Sequence, residues 1–268
     1  MTIIVITGGA VRLTGSGLGC SDWPNCEQDQ LVSDLEYHGL IEFGNRMFTG
    51  VVTIAVIAAV LGSLIRRPRR ADLIRWSWGL VVGVLAQIIL GGLLVKTELD
   101  PRFTMGHFLL SMVLLWNAAV LRHRASIADP LIAPEANNPL RRWTRGILAG
   151  GAGVLVIGTV VTGSGPHSGS DEAEVAERLP FLVRDVTRLH SLAALLLLAA
   201  VLALLWTARS TNLARPAANV VGLLVAQGVI GYWQYFAGVP VLLVAVHITL
   251  ASITWIYLVR LDLAASPK

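Results

Sequence analysis

The chain has 268 residues, 54% of them hydrophobic and only 14% charged, with a mean hydropathy of +0.67. That balance excludes an ordinary water-soluble domain and describes an integral membrane protein. The net charge of +4 could suggest a nucleic-acid partner, but the basic residues are spread along segment ends with no nucleic-acid motif. The lipid bilayer is therefore the expected partner and nucleic acid is not.

The chain opens on Thr2 to Val11, which is apolar but about half the length a spanning helix needs. An eighth, incomplete span is expected there, with its full start upstream. Seven longer apolar stretches follow, over 41–65, 73–95, 104–121, 143–162, 187–207, 216–236 and 240–261. Each is long enough to cross about 30 Å of hydrocarbon. The expected fold class is all-α, with eight transmembrane helices of which the first is truncated.

Cys20 and Cys26 are the only two cysteines and share the first loop, with Pro24 between them. On an oxidising side of the membrane they can form a disulfide that closes a tight loop, a redox role being the sharper alternative. The next stretch carries Glu42, Asn45 and Arg46 near its start. Arg46 lies at i+4 from Glu42 and could neutralise it across one helical turn. Glu42 and Asn45 also share a face, where a carboxylate beside a reactive cofactor could relay protons, and that catalytic reading is preferred.

Arginines gather on alternate loops, as Arg66, Arg67, Arg69 and Arg70, then Arg122, Arg124, Arg141, Arg142 and Arg145, then Arg209, Arg215, Arg260 and Lys268. Acidic residues such as Asp22, Glu27, Asp29, Asp34, Asp171, Glu172 and Glu174 fill the others. Basic loops stay inside, so both termini are expected in the cytoplasm. The Arg66 to Arg70 cluster could also attract anionic lipid.

Three histidines, His107, His190 and His247, each follow the start of an apolar stretch by a few residues. At 1.5 Å per residue, His107 lies about 7 Å below a helix start near Arg102 and His247 about 10 Å below Pro240. Ionisable groups at such depth are functional candidates by default, although a single one could serve as packing glue between helices. His38, His123 and His167 are expected in loops as solvated residues.

The chain also repeats itself. Gln87, Gly91 and His107 recur with the same spacing as Gln227, Gly231 and His247, and Thr14-Gly15-Ser16-Gly17 recurs as Thr162-Gly163-Ser164-Gly165. Two parallel, pseudo-symmetric four-helix bundles are expected, over 1–121 and 143–268, with a cytoplasmic linker over 122–142 containing Pro130, Pro134 and Pro139. Asn45 then aligns with His190. Imidazoles on facing helices suit a haem iron; zinc, which favours clustered ligands at short spacing, suits them less well.

The first loop, Gly8-Gly9-Ala10-Val11-Arg12-Leu13-Thr14-Gly15-Ser16-Gly17-Leu18 followed by Cys20-Ser21-Asp22-Trp23-Pro24-Asn25-Cys26, resembles the signature of haem A synthases. So does Ile41-Glu42-Phe43-Gly44-Asn45-Arg46, the family's Glu-x-x-His-Arg element with Asn in the His place. The resemblance implies a cell-membrane enzyme of cytochrome oxidase assembly that oxidises the C8 methyl group of haem O to a formyl group, by two successive oxidations through a hydroxymethyl intermediate. It further implies that His190 and His247 ligate a bound haem b that relays electrons, that His107 ligates the substrate haem, and that Glu42 is the catalytic carboxylate. Both haem sites would lie towards the external side. Asn45 is the departure: with no second imidazole, the substrate iron is expected to keep an open position, Asn45 donating a hydrogen bond to bound oxygen or water.

Arg46, Arg184 and Arg188 are candidates for the haem propionates. An unidentified electron donor is required, and haem O synthase is a candidate partner. Two other classes fit parts of this pattern. A two-haem electron-transfer protein of cytochrome b type should supply four histidines where this chain has three. A transporter built on parallel repeats needs none matched in depth and would be colourless.

Overall fold

A computed structural model describes residues 1–20, 23, 25–26, 36–127, 139–170 and 176–266. Asp22, Pro24, Glu27, Asp29, Asp34, Pro130, Pro134, Asp171, Glu172, Glu174 and Lys268 lie outside the described residues. Among the described residues the structure is all-helical: α1 (Thr2–Leu13), α2 (Tyr37–Ile65), α3 (Ala71–Lys96), α4 (Pro101–Ser126), α5 (Pro139–Ser164), α6 (Val183–Thr207), α7 (Ala214–Phe236) and α8 (Val241–Ala264). Helices α2 to α8 are long and apolar enough to cross a membrane, and α1 is a shorter apolar helix. In hydrocarbon only a closed set of intrahelical hydrogen bonds satisfies the backbone, which is why these apolar runs fold as helices. Their outer faces stay apolar, with Ile54, Leu196 and Val229 exposed.

The helices run past the apolar stretches at both ends. Helix α2 begins at Tyr37, α4 continues through Ser126 and α5 opens on Pro139, a residue suited to a first helical turn because its missing N–H has no partner there anyway. The helices thus take in both ends of the stretch expected as a linker. Two of the histidines expected in loops are helical as a result. His38 lies in the first turn of α2 and shares a hydrogen bond with Ser16 Oγ at 2.9 Å, and His123 lies in the last turn of α4. His167 is in a loop, but its Nε2 is bonded to Val239 O at 2.9 Å rather than solvated.

Neighbouring helices follow a regular scheme. Helix α5 packs on α6 and α8, α6 on α7 and α7 on α8; α1 packs on α2 and α4, α2 on α3 and α3 on α4. Contacts of α8 with α1 and α4, and of α4 with α5, join these sets. The largest apolar core runs across the join, from Val201, Leu204, Val220, Val259 and Leu261 to Met112 and Leu115 of α4. There Trp255 donates its indole N–H to Met112 O at 2.7 Å. A smaller core of Val52, Val56, Leu80, Val84 and Leu114 ties α2, α3 and α4.

The α3–α4 and α7–α8 connections share one backbone form. Leu99 N–H bonds Leu94 O at 2.9 Å and Val239 N–H bonds Gln234 O at 2.8 Å, with Glu98 N–H on Val95 O and Gly238 N–H on Tyr235 O. Each turn holds two residues at positive φ, Glu98 and Leu99 in the first, Gly238 and Val239 in the second. For Leu99 and Val239, at φ 65° and 60°, this costs of order 1 kcal/mol or more, tolerated only where surroundings over-determine it. Leu99 is buried between Gly17 and Gly169, and His167 bonds the Val239 carbonyl.

Candidate functional site

His190 is carried by α6 and His247 by α8. These two helices do not pack on each other, since α5 and α7 lie between them, so only long side chains meet across the gap. The two rings do so, with centres 6.4 Å apart and planes inclined at 66°. Two imidazoles on opposite sides of one metal, each at a bond length of about 2 Å, bring their ring centres about 6 Å apart. A ring-centre separation of this size is compatible with both imidazoles meeting one metal. Both Nδ1 atoms are buried without a hydrogen-bond partner of normal geometry. Buried polar atoms without partners are rare in native proteins, which sets these rings apart from ordinary packing residues.

His107 on α4 has the same character, its Nδ1 buried without a partner. Its backbone is fixed by Gln87 of α3, whose Nε2 donates to His107 O at 3.1 Å and to Ser111 Oγ at 2.8 Å. Asn45 lies on α2, which does not pack on α4. Its Oδ1 accepts a 2.7 Å hydrogen bond from the Thr7 hydroxyl of α1, which leaves the amide nitrogen as the end free to donate. Thr7 was invisible in the sequence because it acts from 38 residues away.

Glu42 is buried, and both of its carboxylate oxygens are engaged. Oε1 accepts from Arg46 Nη2 at 2.6 Å and Nε at 3.2 Å, and Oε2 accepts from Cys20 N–H at 2.9 Å. The one-turn pairing with Arg46 is thus formed, alongside a contact to the disulfide loop. Cys20 and Cys26 are bonded to each other. Arg46 completes the clasp, donating Nη1 to Asn25 O at 2.9 Å and lying 5.0 Å from the Trp23 ring centre. Trp23 in turn packs so closely on Gly92 of α3 that a Cβ there would lie 2.6 Å from its indole nitrogen. The loop is therefore laid over α3 next to Gly91, which faces His107.

Of the three arginines considered for propionates, Arg46 is committed to this clasp, while Arg184 and Arg188 are exposed. Arg184 lies 3.6 Å from Asp185 in an open pair. A further arginine that sequence reasoning passed over, Arg12 of α1, reaches the end of α5 and the loop after it. It donates Nε and Nη2 to His167 O at 3.1 and 2.9 Å and Nη2 to Thr162 O at 3.3 Å. Gly17 N–H bonds Gly169 O at 2.7 Å beside it, bringing the two glycine-containing loops into contact.

With this geometry in view, the comparisons are informative. A "Heme A synthase" of Geobacillus thermodenitrificans is 29% identical over 148 residues, covering 52% of this chain and 46% of that protein. One of Geobacillus kaustophilus (strain HTA426) is 33% identical over 106 residues, covering 39% and 33%. One of Lysinibacillus sphaericus (strain C3-41) is 40% identical over 58 residues, covering 21% and 19%. The aligned stretches thus span less than half of each of these relatives. The COX15-CtaA family model, described as cytochrome oxidase assembly protein, matches residues 1–36 and 29–259. That match takes in α1 to α7 and most of α8, together with every site residue considered above, and the chain belongs to this family.

Proposed function

We propose that this chain is a haem A synthase, oxidising the C8 methyl group of haem O to a formyl group in two steps, as a multi-pass protein of the cell membrane with both termini in the cytoplasm. The observation that carries the reading is the His190–His247 pair, two imidazoles with ring centres 6.4 Å apart on non-adjacent helices. They would hold a haem b, and that group, when bound, supplies electron transfer to the substrate. The shared turn form at Leu99 and Val239 supports two repeats, 1–121 and 143–268, with 122–142 between them.

In this reading the first half receives the substrate haem on His107. Asn45, oriented by Thr7, presents a hydrogen-bond donor where the other half presents an imidazole. Glu42 holds the Cys20 N–H and Arg46, so its first task is to position the disulfide loop and Trp23. Moving a proton through it requires one of those partners to let go. Arg184 and Arg188, exposed near the start of α6, are left to meet haem carboxylates.

Membranes of cells that make haem O, with and without the chain expressed, test the reading by haem extraction. Haem A appearing only with the chain supports it. A protein that binds two haems while haem O persists unchanged would instead be an electron-transfer protein.

A further inference from the structure

All three membrane histidines rest on a glycine of a neighbouring helix. A Cβ at Gly158 of α5 would lie 3.0 Å from His190 Cε1, 3.4 Å from its Nδ1 and 3.8 Å from its Nε2. One at Gly231 of α7 would lie 3.1 Å from His247 Cε1 and 3.6 Å from its Nδ1. One at Gly91 of α3 would lie 3.8 Å from His107 Cε1. In the second half, then, each ring turns its Cε1 onto a bare stretch of backbone with Nδ1 the nearer of its two nitrogens, the His190 Nε2 lying at 3.8 Å. The Val154 backbone, four residues before Gly158, is within electrostatic reach of the His190 ring, although no hydrogen bond of normal geometry forms to Nδ1.

We propose that Gly158 and Gly231 are positioning residues for a haem-ligating pair: their missing side chains seat His190 and His247 edge-on against α5 and α7, aiming each Nε2 into the gap between α6 and α8. This rests on the haem b reading above. An imidazole bound to metal through Nε2 keeps its proton on Nδ1, and such ligands are oriented by what the second nitrogen and the ring edge meet. A glycine meets that need by letting the ring edge reach the helix backbone. An added methyl at 3.0 or 3.1 Å is tighter than most side-chain contacts, so the ring must give by a few tenths of an ångström and its Nε2 is displaced with it. At Gly91 the same methyl would make an ordinary contact, so the first-half ring has a looser seat.

The full-length protein, purified from haem-replete cells and also prepared free of haem, provides the test. Gly158→Ala and Gly231→Ala are compared with Gly153→Ala and Gly228→Ala, changes on the same two helices where a Cβ meets nothing within 4 Å. The seat variants should lose haem affinity by about tenfold or more in a haem titration. The haem that remains should shift from a low-spin to a high-spin spectrum, with the helical content and melting temperature of the haem-free protein unchanged. The two controls should behave as wild type, and Gly91→Ala should leave the haem b spectrum as it is. Wild-type affinity and spectrum in both seat variants would overturn the proposal. So would loss of the haem-free fold in both while the controls fold, since the seats would then be general packing. If wild type itself takes up no haem, the haem b reading fails, and that result is separate from either outcome.

Discussion

The two halves of the molecule treat the same position differently. In α5 to α8 two imidazoles confront each other across a gap, each pressed onto a glycine at close range, and among the described residues no loop side chain is clasped over them. In α1 to α4 a single imidazole has a looser seat, the position that the proposed repeat aligns with His190 is an amide held by Thr7, and a disulfide loop is fastened by Glu42, Arg46 and Trp23. On the reading proposed above, the contrast would separate a site that retains an iron from one that exchanges it, since a permanent electron carrier is held and a substrate must enter, react and leave.

Removing either member of the close pair should have the largest effect. His190→Ala or His247→Ala should abolish the low-spin haem spectrum and haem A formation together, read by absorbance of the purified protein and by haem extraction. If either variant kept a six-coordinate spectrum, the two halves would not differ as described. Next is the clasp. Glu42→Ala removes the acceptor of Cys20 N–H and of Arg46 Nε and Nη2, a cost of about 1–3 kcal/mol concentrated in the first loop. Haem A formation should fall at least tenfold while the haem b spectrum persists, and Glu42→Gln, whose amide has one acceptor oxygen where the carboxylate has two, should keep either the Arg46 or the Cys20 contact and lose the other. Partial recovery in the glutamine variant would assign Glu42 to positioning; full wild-type activity in either variant would remove it from the mechanism.

Asn45→His sharpens the comparison by making the first half resemble the second. The substrate-loaded protein should gain a second six-coordinate haem and release its product more slowly, read by spectra and single-turnover kinetics. An unchanged spectrum would show that Asn45 does not face the iron. The smallest effect concerns Asp100, which caps α4 by accepting Arg102 N–H at 2.8 Å. The Arg102 side chain holds its carboxyl below the usual carboxylate range. A lowered folded-state value means the carboxylate stabilises the fold above about pH 4 and loses that contribution as pH falls through the lowered value. Because Arg102 is open to solvent, the term is small. Melting of wild type should drop slightly more than that of Asp100→Asn below pH 4, and parallel curves would remove the effect.

Seven of the eight helices could be read directly from runs of apolar residues, because the bilayer imposes both their length and their composition. Their ends were less legible. Backbone hydrogen bonding continues into polar turns such as Tyr37–Leu40 and Arg122–Ser126, which is why His38 and His123 were misplaced in loops. The three membrane histidines stood out as costly groups in an apolar setting. Gly91 and Gly231 could be paired with His107 and His247 because each lies across one short turn from its histidine. Gly158 could not, since 32 residues and a long loop separate it from His190. Thr7 and Arg12 were hidden for the same reason: their partners are remote in sequence, and nothing local marks them.

The turns at Leu99 and Val239 have one further consequence. Gly91 and His107 each lie eight residues from Leu99, and Gly231 and His247 each lie eight residues from Val239. A hairpin of two helices folded about a fixed point acts as a ruler, bringing residues equidistant from the fold to the same height. The awkward backbone at those two corners is therefore what sets the measure. A single residue inserted in either one would slide its histidine about 1.5 Å along the helix and turn it by about 100°, leaving the ring opposite the wrong neighbour.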